Sequence, residues 1–413
     1  MRVLIVTAGS WGDVAPYTGL GVRLAAAGHT VDLATHARFE AAVRRHGLGF
    51  RPLPVDPKDI LASAAGQGLA RAVSAPVALA RVIRMARAFM PRLTAGIVDA
   101  VRAGTDVLIA SPLTEPMCAA LAEAHRLPCL GAHLQPVTPT GAHPPLVSGA
   151  RSFGRHGNRL AAQALWAAGD RLFAPSVTAL RRELGLPRRT FTGPLGLDPD
   201  RPVHHGYSPH VVPRPADWPP GHRVGGYWWP PVPPGWRPDP RLAAFLDAGP
   251  PPVFAGFGSF VTDRPDRLSA LLAEALRAAG VRGIVQSGWS GLHADGDDLL
   301  TVADVPHAWL FPRTAAVIHH AGAGTTAAGL RAGVPAVPVP VQLDQHFWAA
   351  RLTALGVAPA ALRFQHLTAD RLAAAVRRAV EDPGHRQRGA RLAAALAAED
   401  GAAPVLAALD RLR

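Results

Sequence analysis

Cysteine is almost missing from this 413-residue chain. Cys118 and Cys129 are the only two, so no disulfide framework holds it and a reducing compartment is expected. Lysine is rarer still: Lys58 stands alone, and arginine carries nearly all the positive charge. No run of about 18 uninterrupted apolar residues occurs, so no membrane-spanning helix is expected. The opening Met1-Arg2-Val3-Leu4-Ile5-Val6 reads as a strand and lacks the apolar core and cleavage site of a signal peptide. A cytoplasmic protein is the expectation. No group of carboxylates, histidines or cysteines has metal-ligand spacing, so neither metal nor cofactor is expected.

Apolar residues make up 48 % and charged residues 18 %, which excludes a disordered or fibrous chain and leaves room for two domains with their own cores. The net charge of +13 is compatible with nucleic acid or a membrane surface. No short block concentrates that charge as a nucleic-acid arm would, and arginine in place of lysine also follows from a GC-rich coding sequence. No nucleic-acid partner is expected.

Short apolar runs alternate with helical patterns through the first half. Arg2 to Ala8, Thr30 to Thr35, Asp106 to Ala110 and Cys129 to His133 read as strands; Ala15 to Ala27, Ala37 to His46 and Pro116 to His125 read as helices. Eleven prolines then fall between Pro209 and Pro240, a density that no helix or central strand tolerates. The strand–helix grammar restarts with strands at Pro252 to Phe257, Gly283 to Gln286, Ala315 to His319 and Ala336 to Val339. The helices of this half are Arg264 to Ala279 and Phe347 to Leu355. The fold class is α/β, with two doubly wound parallel sheets facing each other across a cleft. The expected bounds are 1–212, a proline-rich linker 213–240, 241–395, and a C-terminal helix 396–413 packing back toward the first domain.

Two strand-to-helix loops carry candidate chemistry. The first is Gly9-Ser10-Trp11-Gly12-Asp13-Val14-Ala15-Pro16, where Asp13 either points into the cleft or caps the helix. The second is His319-His320-Ala321-Gly322-Ala323-Gly324-Thr325-Thr326. Backbone N–H groups of Gly322 to Thr326 at a helix start favour a phosphate, and His320 and Thr325 can add hydrogen bonds. A tight packing turn would explain the glycines but not the histidines and threonines around them. Downstream, Asp344 and Gln345 offer a carboxylate and an amide suited to sugar hydroxyls, or Asp344 caps a helix.

These residues resemble family 1 glycosyltransferases of the GT-B fold, the bacterial natural-product and sterol type. The similarity runs over nearly the whole chain: Gly-Ser-x-Gly-Asp-Val at the start, Gly226-Tyr227-Trp228 at the hinge, Gly258-Ser259, the His-His-x-Gly-Ala-Gly-Thr-Thr run, and Asp344-Gln345. The resemblance implies that the C-terminal domain binds a nucleotide sugar and the N-terminal domain the acceptor. Val305 would meet the base through its backbone, and Trp289 would stack on it or serve as a core residue. His320, Gly322, Ala323, Gly324 and Thr325 would hold the diphosphate, with Ser10, Gly12 and Ser259 reaching it from other loops. Asp344 and Gln345 would bind the sugar, and Asp13 would act as general base. Three positions depart from the pattern: Ala321 and Leu343 replace glycines, and Trp11 replaces a residue that is often arginine.

The implied reaction is a single displacement that inverts the anomeric centre of a UDP- or dTDP-hexose or deoxyhexose, without metal, Asp13 taking the proton of an acceptor hydroxyl. Trp11, Met85, Phe89 and Gln135 are candidate contacts to a small lipophilic acceptor. The basic, apolar stretch Leu69 to Ala95, with Arg71, Arg81, Arg84, Arg87 and Arg92, is a solvated helix, a pocket wall or a weak membrane-surface contact; the loop Gln135 to Phe153 is a second wall or lid. A monomer or homodimer is expected. Rival readings are a nucleotide-sugar epimerase, a lipid-linked or sterol transferase at a membrane surface, and a non-catalytic nucleotide-sugar-binding auxiliary protein.

Overall fold

The apolar runs of both halves become parallel strands. The computed structural model describes residues 1–56, 58–59, 75–149, 151–188 and 201–413, with the side chains of 75–88 outside that description. Strands β1 (Arg2–Val6), β2 (Thr30–His36), β3 (Gly49–Leu53), β4 (Val107–Ala110), β5 (Cys129–His133), β6 (Val203–His205) and β7 (His222–Val224) form one sheet in the order β3-β2-β1-β4-β5-β6-β7. Strands β8 (Val253–Gly256), β9 (Gly283–Gln286), β10 (Leu299–Val302), β11 (Ala316–His319) and β12 (Ala336–Pro338) form the second, in the order β10-β9-β8-β11-β12. Neighbouring strands pair in parallel throughout both sheets. These are two Rossmann-like α/β domains.

Along β1 the side chains alternate between two buried layers. Leu4 and Val6 pack with Leu93, Ile97 and Met117 on one face; Val3 and Ile5 pack with Val14, Tyr17 and Leu20 on the other. The order of strands reverses beside β1 and beside β8, so each sheet opens a crevice at the carboxyl ends of these strands. The helices that shape the site are α1 (Trp11–Ala26), α2 (Gly154–Glu183), α3 (Ala323–Ala332) and α4 (Gln345–Ala354); α5 (Ala403–Asp410) ends the chain.

The chain passes between the domains twice. Outbound, Gly226 to Trp229 follow β7; inbound, Glu399 to Ala402 lead into α5, whose Val405 and Leu409 join the layer beneath β1. The two passages touch: the Trp228 indole donates to the Gly401 carbonyl at 2.9 Å, and the Ser208 hydroxyl donates to Glu399 at 2.6 Å. Arg23 of α1 pairs with Asp400 at 2.6 Å.

Several expected bounds shift. Helix α1 starts at Trp11 rather than Ala15, because Ser10 takes the N-cap position and Asp13 becomes the third residue of the helix. The 37–46 segment is a 3₁₀ turn (Ala37–Phe39) followed by one short helix (Glu40–Arg45). Strand β7 lies inside the proline-rich stretch and takes the end position of its sheet, where a missing backbone donor is tolerated.

Candidate active site

Asp13 sits at the start of α1 directly above the end of β1. Its Oδ2 accepts the Ser10 backbone N–H at 2.9 Å and the Ser10 hydroxyl at 3.0 Å, while its own carbonyl accepts from Thr7 at 2.9 Å. The first of these is half of a capping box. Asp13 therefore caps and faces the cleft at once, with one oxygen engaged by Ser10. Only glycine fits at position 9, since a Cβ there would lie 2.5 Å from Asp13 Oδ2 at φ +142°. The Gly9 N–H is anchored on His36 Nε2 at 2.9 Å. Burial pushes the Asp13 carboxyl above the ordinary carboxylate range, against opposing hydrogen bonds from Ser10 and the Gln135 side chain.

Helix α3 begins opposite. Gly322 is its N-cap, no side chain caps it, and no acidic residue occupies its first turn. The N–H groups of Ala323, Gly324 and Thr325 at this start have no intrahelical partners. The two helix starts nearly touch: a Cβ on Gly324 would lie 3.8 Å from the Gly12 Cα. His320 lies beneath, buried, its ring meeting the Gly256 backbone. Burial drops its pKa to about 4, so the ring is neutral near pH 7. A Cβ on Gly322 would stand 2.5 Å from His320 Nε2, and one on Gly258 3.1 Å from Cε1, so the two glycine loops enclose the ring. Ser259, half-buried, follows Gly258 in the loop after β8.

Trp289 is half-buried, its N–H bonded to the Gly258 carbonyl at 2.9 Å. Arg38 of the N-terminal domain covers its ring at 5.2 Å while pairing with Asp56 at 2.9 Å. Val305 is half-buried against the core cluster that includes Leu310 and Phe311.

Asp344 precedes α4, and its Oδ2 accepts the Trp348 indole N–H at 2.9 Å. Burial, with the Asp13 charge as a lesser contribution, raises its pKa to about 6 in spite of the indole. Gln345 differs from expectation. Its Oε1 already accepts the Val341 and Gln342 N–H groups at 2.8 and 3.0 Å, so it offers the cleft an NH₂ donor rather than a two-way amide.

Between Asp344 and Gln135 opens a pocket of about 670 Å³, mouth included, walled by Pro136, Val137, Pro144, Leu146, Leu165, Trp166 and Leu343. The 135–149 wall is fastened in place. Trp166 donates to the Val137 carbonyl at 2.7 Å, Trp218 to the Thr138 carbonyl at 3.2 Å, and Thr140 to Asp217 at 2.6 Å. The Trp166 and Leu165 wall was missed in the sequence because it comes from α2, whose apolar residues read as ordinary packing. Of the expected acceptor contacts, Gln135 lines this pocket. Trp11 stands outside its lining, 5.3 Å from Phe39, and Phe89 rests against the core of the N-terminal domain. Phe89 sits on the core side of a helix that packs on the sheet, which draws it away from the cleft. Arg71 and the side chains of Arg81, Arg84, Met85 and Arg87 lie outside the described residues.

Two departures from the expected glycines share one backbone state. Ala321 (φ +62°) and Leu343 (φ +53°) are, with Arg126, the non-glycine residues at positive φ among the described residues. A left-handed conformation costs an L-residue about 1–2 kcal/mol, and both lie on cleft loops. Among the described residues no group of three or more His, Cys, Asp or Glu could hold a metal ion, and no helix is long and apolar enough to cross a membrane.

Known proteins match both halves. Residues 3–144 match the model of the glycosyltransferase family 28 N-terminal domain, and residues 284–412 that of the erythromycin biosynthesis protein CIII-like C-terminal domain. An O-mycaminosyltylonolide 6-deoxyallosyltransferase of Streptomyces fradiae is 36 % identical over 97 % of this chain and 95 % of its own. A sterol 3-beta-glucosyltransferase of Arabidopsis thaliana is 32 % identical over 100 % of this chain and 68 % of its own. A glycosyltransferase of Streptomyces sp. SF2575 solved with thymidine diphosphate superposes at a TM-score of 0.67, 22 % identical, over 99 % of both chains. The chain thus belongs to the GT-B glycosyltransferases, among the enzymes of antibiotic and sterol type.

Proposed function

We propose that this protein moves a hexose or deoxyhexose from a UDP- or dTDP-sugar to a hydroxyl of a small lipophilic acceptor, by inversion and without a metal. One observation carries the reading: a carboxylate-bearing helix start and an uncapped helix start face each other, and the Gln135 side chain that reaches Asp13 also lines an apolar pocket. The acceptor lies in the pocket and presents its hydroxyl to Asp13. Asp13 takes the proton as the oxygen bonds to the anomeric carbon, and the carbon–phosphate oxygen bond breaks with its electron pair leaving on the diphosphate. The N–H groups of Ala323, Gly324 and Thr325, with neutral His320 beneath them, meet that growing charge without reorganising. Ser10, Gly12 and Ser259 flank the diphosphate; Trp289 and the Val305 backbone take the base. Asp344 and the Gln345 NH₂ take sugar hydroxyls. The acceptor falls to residues 1–212 and the donor to 241–395, in a cytoplasmic monomer or homodimer with no resident cofactor. A deoxyhexose and dTDP are favoured by the Streptomyces fradiae relative, named for a 6-deoxyallosyl group, and by the thymidine diphosphate in the structural neighbour.

The decisive test is Asp13→Asn. Turnover should fall by about a thousandfold while dTDP binding, followed by titration, stays within twofold. Full turnover in this variant would refute the assignment.

A second reading, a sterol-type transferase drawing its acceptor from a membrane surface, has one observation in its favour. Val147 and Leu165 of the pocket lining are exposed, as are Phe153 and Leu160 in the same stretch of chain, with exposed Arg151 and Arg155 among them and no acidic residue between Glu123 and Asp170. Co-sedimentation with phosphatidylglycerol vesicles separates the two readings.

A further inference from the structure

Leu343, on the cleft loop before α4, is 63 % open to solvent. It occupies a tight turn in which the Gln345 N–H returns to the Gln342 carbonyl at 3.2 Å. Its φ is +53°, and Asp344 after it has φ −71° and ψ −9°. Turns with positive φ at the first central position take glycine there, and a bulky residue in that state is an outlier. An unburied leucine gains the fold nothing for that strain, so neither turn geometry nor core packing accounts for it. Leu343 instead lines the pocket together with Val137, Leu146 and Trp166, immediately before Asp344. Every other apolar residue of that lining comes from the N-terminal domain.

We infer that Leu343 is an acceptor-selectivity residue: the C-terminal, donor-side domain supplies the last wall of the acceptor pocket. The inference rests on the reading of that pocket as the acceptor site. Its ligand is an extended apolar ring system, which gains an apolar contact from Leu343 only when the two domains stand as they do here. Strain held at a binding surface in this way is a mark of function rather than of folding.

The experiment titrates wild-type protein and the Leu343→Gly, Leu343→Ala and Leu343→Met variants with O-mycaminosyltylonolide, with cholesterol and with dTDP, following tryptophan emission, alongside thermal melts. For whichever acceptor binds the wild type, Leu343→Gly should weaken binding by about tenfold, the loss of roughly half a buried leucine. Leu343→Met should restore it, dTDP affinity should not move, and Tm should hold or rise because glycine relieves the turn. Unchanged acceptor affinity, an equal loss for dTDP, or a lowered Tm with both affinities reduced would overturn the inference, as would a wild type that binds neither acceptor. Wild-type protein that binds acceptor in a Leu343-dependent way but transfers no sugar would refute the proposed reaction and leave this assignment standing.

Discussion

The starts of α1 and α3 are built on one plan and end in opposite chemistry. Each follows the carboxyl end of a buried parallel strand and each points into the cleft. In α1 the N-cap is Ser10 and the third residue is Asp13, whose carboxylate folds back onto the Ser10 N–H. In α3 the same two positions are Gly322 and Thr325, and nothing returns to fill the donors. A helix start that carries its own anion has no call for another; one without is a place for a phosphate. Two side chains thus set the helix starts apart: one carries its own carboxylate, the other leaves its donors open.

Swapping that single position tests the contrast most severely. Thr325→Glu brings an acid to the α3 position that Asp13 holds in α1 and places a negative charge where the proposed function puts the diphosphate; charges about 4 Å apart repel by a few kcal/mol. dTDP affinity, measured by titration, should drop at least a hundredfold while Tm holds or rises slightly, since an acid in the first turn favours the helix. Unchanged affinity would mean the phosphate binds elsewhere.

Acid should loosen the fold through its buried histidines. Burial holds His204, His222 and His320 near pH 4, below the ordinary 6.5. The unfolded chain therefore takes up more protons between those values, so the stability these rings allow is complete above pH 6.5, drains as pH falls from 6.5 toward 4, and levels off below that. At pH 5 each buried ring costs about 2 kcal/mol relative to pH 7. Asp344, raised to about 6, is shifted the opposite way and offsets part of this loss. Melts should show Tm falling by more than about 5 °C from pH 7.5 to 5, less in a His222→Gln variant. A flat profile would exclude neutral burial of these rings.

The smallest expected effect lies where Arg38 of the N-terminal domain covers Trp289. Arg38→Ala removes the cation covering Trp289. A partly exposed contact of this kind is worth about 0.5–1 kcal/mol, so donor KM should change no more than about fivefold in steady-state assays, with kcat retained. A loss of kcat would place Arg38 in the chemistry instead.

How much could be read beforehand follows the same divide between local and distant signals. Cys129 to His133 and Gly283 to Gln286 match their strands because each is a bounded apolar run. Strand β6, Val203–His205, escaped notice since two of its three residues are histidines, buried though polar. Gly322 to Thr325 announced a helix start through glycines placed after a strand. The pocket wall at Leu165 and Trp166 announced nothing, because an inward-facing leucine looks alike in a core and in a binding site. Gln345 was visible as an amide, but its commitment to Val341 and Gln342 is a matter of turn geometry.

The paired passages at Gly226–Trp229 and Glu399–Ala402 have a mechanical meaning. Two straps lying side by side form a door hinge rather than a tether: they permit swinging about their common line and resist twisting or sliding apart. A protease cut in the 231–239 stretch would sever only one strap, and the halves should still travel as one particle, because α5 remains plugged into the sheet of the other domain.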